Sequence, residues 1–221
     1  MDAHSLGRIA GDLFAYVQLF GEATDAQRPS LPALRSQILS LLDAFAKDPH
    51  AQQVPADEVE EARFALAAWA DETILRSSWS GREDWLRDLL QLQLFRTNRA
   101  GDEFYDHLER LRADQHHARE VYYLCLALGF EGRYAGHDAE RAELMRQQFE
   151  LLRSSGHALD LATVTPLAPP AYELAIHVRG RGGKRLWPVL LTWIGGAAAV
   201  FALLWVSLRW LAAGVPAPPG S

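Results

Sequence analysis

One cysteine is all the chain contains, and no acidic residue follows Glu173. A lone thiol excludes an internal disulfide and fits a reducing compartment. Cys125 sits in the apolar stretch VYYLCLALGF, which predicts a buried and inert side chain. No run of alternating polar and apolar residues supports a strand, and no internal repeat is evident. Neither a G-x-S-x-G elbow nor a paired CxxC or HExxH motif occurs, so catalysis and a resident metal lack their usual signatures, and no cofactor is expected. The basic stretch GRGGK is not a phosphate loop. Val178 stands where the first glycine belongs and Arg185 where the serine or threonine belongs. The opening MDAHSLGRIAGDLF carries no apolar run of the signal-peptide kind, so export of the main body is not expected.

The missing C-terminal acids expose an asymmetry behind the net charge of −6. All 28 acids but only 17 of the 22 bases precede residue 179, so residues 1–178 carry −11. Such a body repels phosphate backbones, which argues against nucleic acid as a partner. Residues 186–208 then run for 23 positions without a charge. As a helix this stretch spans about 34 Å at ~1.5 Å per residue, enough for a hydrocarbon core of about 30 Å. Trp187, Trp193, Trp205 and Trp210 include residues near both ends, as interfacial belts do. Arg179, Arg181, Lys184 and Arg185 precede the run and only Arg209 follows it. The positive-inside rule therefore predicts a cytoplasmic domain (1–178), a basic juxtamembrane linker (179–185), a single span (186–208) and a short periplasmic tail (209–221). Within the span, Gly195 and Ala199 form a small-xxx-small pair through which two copies could pack as a homodimer.

The body reads as helix throughout. Apolar residues at 3–4 spacing predict helices over 5–23, 31–48, 55–77, 82–97, 101–113, 116–130 and 137–156. The third is apolar on two sides. Val59, Ala62, Leu66, Trp69 and Thr73 share one face, and Phe64, Ala68 and Leu75 the other, so it belongs at the centre of its bundle. Asp71 and Glu72 are thus acids on a helix that should be largely buried. Glu72 has Arg76 one turn on, an ordinary ion pair. Asp71 has only Ala67 and Leu75 at that spacing, so it either pairs across the bundle or lines a groove. His107, His116, His117 and Glu120 form the one metal-like cluster, at a helix junction without a supporting motif; solvated surface histidines are the default reading.

Three segments taken together resemble a known family: ALAAWADETIL, LLQLQLFRTNRAGDEFYDHLERL and REVYYLCLALGFEGRY. In this order, with an apolar C-terminal run, they resemble the DotU/TssL proteins, inner-membrane subunits of type VI secretion systems with relatives in type IVB systems. The resemblance implies an all-α, hook-like cytoplasmic domain of two small helical bundles with a cleft between them, followed by one transmembrane helix. It implies a non-catalytic scaffold joined to an IcmF/TssM-like subunit and docked on baseplate components. The family's functional acids fall on Asp71 and Glu72, and its glycine turn on Gly129, Gly132 and Tyr134. Many members carry a peptidoglycan-binding domain after the span; only 13 residues follow Leu208, so no direct grip on the cell wall is expected. Two other readings remain open, a type IVB stabilising subunit and a tail-anchored metal-dependent enzyme built on His107, His116, His117 and Glu120.

Overall fold

A computed structural model describes residues 5–155. The span at 186–208, its Gly195 and Ala199, the flanking bases Arg179, Arg181, Lys184 and Arg185, and the tail lie outside the described residues. Among the described residues no helix is long and apolar enough to cross a membrane, and every regular element is helical.

The elements are α1 (Leu6–Ile9), α2 (Gly11–Glu22), α3 (Leu31–Lys47), α4 (Ala56–Arg76), α5 (Arg82–Leu86), α6 (Leu90–Phe95), α7 (Ala100–Arg110), α8 (His116–Ala127) and α9 (Asp138–Ser154). A 3-10 turn at Gly132–Tyr134 joins the last two. Two of the predicted helices are divided. The stretch read as one helix over 5–23 pauses at Ala10, between α1 and α2. The stretch over 82–97 breaks at 87–89, where Leu89 is extended (φ −68°, ψ 149°). In a continuous helix the N–H groups of Leu90 and Gln91 would return to their own chain; here a carboxylate from α4 accepts both.

Helix α4 is the axis of the domain. It opens after Pro55 with Asp57 and Glu58 in its first turn, a start the helix dipole favours. From Phe64 to Asp71 every residue is buried, because α2, α3, α5, α6, α7 and α8 all pack around this helix. Trp69 is fully buried with Phe14 edge-on at 4.9 Å; hiding a side chain of that size contributes roughly 3 kcal/mol. On the far side Phe104 stacks among Tyr122 and Phe130 at 4.6 and 4.1 Å. Cys125 is buried there too, its thiol pushed well above the usual range by burial. Helix α9 is the outermost, burying only Gln148 and Leu152. Gln148 is gripped by the Arg119 guanidinium, which also donates to the Leu111 and Arg112 carbonyls.

Candidate partner-binding site

Asp71 and Glu72 are adjacent on α4 and point to different places. Asp71 is 1% exposed. Its Oδ1 accepts from the Trp85 indole N–H (2.9 Å) and the Leu90 N–H (3.1 Å). Its Oδ2 accepts from the Gln91 N–H (2.9 Å) and side-chain amide (3.4 Å). The extended Leu89 supplies no cap of its own. Asp71 is therefore the N-cap of α6, supplied from another helix. Burial pushes its carboxyl above the ordinary range, and the four donors oppose that push because each favours the ionised form. The Arg35 guanidinium lies 4.4 Å above the Trp85 ring, placing a cation behind the donor.

Glu72 is partly exposed and grips the turn after α8. It accepts the N–H groups of Glu131 (2.7 Å) and Gly132 (2.8 Å) through separate oxygens. Arg76 sits 3.5 Å from Glu72, a weaker contact than its own link to Glu131 at 2.8 Å, and also donates to the Gly129 carbonyl. In that turn Gly129 (φ 98°) and Gly132 (φ 46°) occupy left-handed backbone conformations. The Tyr134 ring meets Tyr105 edge-on at 4.7 Å, and the Tyr105 hydroxyl donates to the Glu131 carbonyl.

Sequence reasoning missed that this arrangement recurs. Glu58, on the first turn of α4, accepts the His117 and Ala118 N–H groups at 2.9 and 3.1 Å. It caps α8, which has no local side-chain cap, and burial raises its carboxyl against those bonds. The amide oxygen of Gln91 does the same for Ala100 at the start of α7 (2.8 Å). Orphan N–H groups at a helix start need acceptors, and the positive end of the dipole favours anions there. The signal available in the sequence was two helix starts without Ser, Thr, Asp or Asn at the cap position, Arg99 and Gln115; Leu89 lies inside the helix predicted over 82–97 and gave none.

The histidines and Glu120 do not converge, and no group of three or more potential metal ligands exists among the described residues. His107 stacks flat on Phe64 and bonds Glu61 at 2.9 Å. Glu61 also accepts from Tyr122. Burial works against the Glu61 charge, yet the His107 and Tyr122 contacts hold its carboxyl below the ordinary range. The His116 and His117 rings lie 4.3 Å apart, tilted at 47°. Glu120 turns inward toward Ser5 and Gly7 at the start of α1, and burial raises its carboxyl. A carboxyl with a raised folded-state pKa costs stability above that pKa, and the cost vanishes below the unfolded-state value. Glu120→Gln is therefore expected to stabilise the chain at pH 8 and to lose that advantage as the pH falls toward 4, read from urea midpoints. A constant difference across the range would show that the charge is not the cause.

The family model described as "Type VI secretion system protein DotU" matches residues 5–211. The chain belongs to the DotU family. The cytoplasmic domain of TssL from Acinetobacter baumannii is 31% identical, with a TM-score of 0.60 over 69% of this chain and 99% of that one. TssL from Vibrio cholerae, 24% identical with a TM-score of 0.57 over 67% of this chain and 95% of that one, shares the fold. No curated protein matches. The described helices thus form a DotU-type domain, in which α4 holds both acids of the WADE segment.

Proposed function

We propose that the chain is a non-catalytic scaffold subunit of the type VI secretion membrane complex. It sits in the inner membrane through residues 186–208, with residues 1–178 in the cytoplasm and 209–221 in the periplasm. The observation that carries this reading is the family match over residues 5–211, which continues beyond the helical domain and through the charge-free run. In this reading the domain is the hook of two small bundles that share α4. An IcmF/TssM-like subunit stands beside it in the membrane, and a second copy packs through Gly195 and Ala199. Baseplate components dock on the cytoplasmic face. Asp71 and Glu72 serve that docking by fixing α6 and the 129–134 turn, the elements around the cleft; the −11 of residues 1–178 steers basic surfaces toward it.

Tagged full-length chain extracted from membranes of cells carrying the whole secretion cluster tests the reading. The IcmF/TssM-like subunit and baseplate proteins are expected to co-purify, and protease added to spheroplasts should spare the large domain. Digestion of that domain without lysis, or purification free of secretion subunits, would sink the assignment.

A further inference from the structure

Helix α9 leaves one flank open. Gln148 and Leu152 are buried where it packs on α8. Beside them Glu140, Leu144, Gln147 and Leu151 recur at 3–4 spacing as a second stripe along the same helix. Leu151 is 49% exposed on that stripe. Towards the start of α9 the stripe runs into a shallow groove of about 380 Å³, floored by Tyr134, Ala139 and Leu144 and edged by Glu140, Glu143 and Gln147. One open leucine and a groove of this size fall well below the ~800 Å² per partner that a stable interface between free proteins buries. A segment tethered to the same helix needs no such area, because its effective concentration reaches the millimolar range.

The chain supplies such a segment. Helix α9 ends at Ser154, and Gly156 follows, the residue type that most readily turns a chain after a helix. Residues 157–168, HALDLATVTPLA, contain one acid, no base, and Leu159, Leu161 and Val164. The chain divides into two compact units after Ala168, which leaves this segment on the helical domain's side. Thr163, Val164 and Thr165 favour extended backbone, and Pro166 imposes it on the residue before. An extended chain advances ~3.3 Å per residue against ~1.5 Å along a helix. Turned back at Gly156, Leu159 falls within a turn of Leu151, and Leu161, about 16 Å back, reaches the level of Leu144. Val164, about 26 Å back, reaches the groove at the start of α9. The exposed Glu140 and Gln147 stand along that path as acceptors for the N–H groups of an extended chain.

We propose that residues 157–168 fold back along α9 as a strap, with Leu159 against Leu151, Leu161 against Leu144 and Val164 in the groove beside Tyr134. The strap is a contact within the chain and does not depend on what the domain binds. It moves the point at which the tether leaves the domain from the end of α9 to its start. The free stretch before the basic residues 179–185 then begins at 169 instead of 156.

The test uses full-length chain in nanodiscs of neutral lipid. Cys125, the one native thiol, is buried, so engineered cysteines report alone. Gln147→Cys, at the groove edge, is combined in turn with Leu161→Cys and with Leu167→Cys, and closure of the disulfide within one chain is timed under mild oxidant. The strap brings position 161 to the groove and carries 167 past it, so the first pair is expected to close about tenfold faster, as a seated pair has the higher effective concentration. A free tether closes the two loops at rates within about twofold, since closure entropy changes slowly with loop length. Adding Leu151→Ser should erase most of the preference while the helical circular dichroism stays that of the wild type. Closure rates within twofold of each other, or a preference that Leu151→Ser leaves untouched, would overturn the proposal. Disulfides formed only between chains would overturn it as well and assign the groove to a second copy.

Discussion

Asp71→Ala is expected to destabilise the chain by about 4 kcal/mol, with α6 the first element to open. The substitution strands three buried donors, the Trp85 indole and the Leu90 and Gln91 N–H groups. Each unsatisfied buried donor costs about 1–3 kcal/mol, and the alanine brings nothing to replace the acceptors. Asn at this position is no rescue. Both oxygens of Asp71 already accept, so either orientation of an amide turns its NH2 toward donors; a loss of about 2 kcal/mol is expected. Urea unfolding gives the size of the effect, and hydrogen exchange at residues 90–95 gives its location. An Asp71→Asn chain as stable as the wild type would show that charge and acceptor count at this site are irrelevant to the fold. Because Asp71 holds α6, any binding defect in Asp71 variants has to be read per folded molecule.

Gly132→Ala is the second large effect, about 3 kcal/mol. A Cβ at this position would lie 2.4 Å from the Gly101 carbonyl oxygen and 3.0 Å from the rings of Phe130 and Tyr105. Backbone has to move to make room, and the positive φ adds strain of its own. Glu72 holds the Gly132 N–H from the other side, so the turn has no free direction in which to shift. Gly129 is the control. Its φ is more unusual, yet an added Cβ meets nothing within 4 Å. Gly129→Ala is expected to cost only the backbone term, about 1 kcal/mol. Equal melting temperatures for the two variants would refute the assignment of the cost to the Gly101–Gly132 contact.

The all-helical fold was legible because its information is local. The double-sided apolar pattern of 55–77 marked a central helix, and α4 is surrounded by six others. The break at 87–89 was not legible. Periodicity runs through it, and the group that interrupts the helix is Asp71, up to 20 residues earlier. The same distance hid the role of the acid itself. A search for Asp71's partner among side chains one turn away finds Ala67 and Leu75, whereas the true donors lie 14 to 20 residues on and half of them are backbone N–H groups, which every residue but proline offers. For Glu72 the neighbouring Arg76 was visible, but the shorter bonds go to residues 59 and 60 positions on. The left-handed Arg96 at the end of α6 (φ 57°) carried no signal at all, since such backbone at a helix end is written in sequence as glycine.

Capping at a distance also dictates how the chain assembles. Helices α6 and α8 begin without local caps and are short, 6 and 12 residues, so neither is stable by itself in water. Their starts are completed only when Asp71 and Glu58, 19 to 60 residues upstream, are already in place. During synthesis α4 therefore leaves the ribosome with α2 and α3 available for one apolar face, the other face bare and two carboxylates unspent until the later helices arrive. Secondary and tertiary structure must then form in one step, with little room for a half-built intermediate. A nascent chain stalled before residue 116 would still carry the bare Glu58 and one open face of α4, a substrate for chaperones and proteases rather than a smaller working domain.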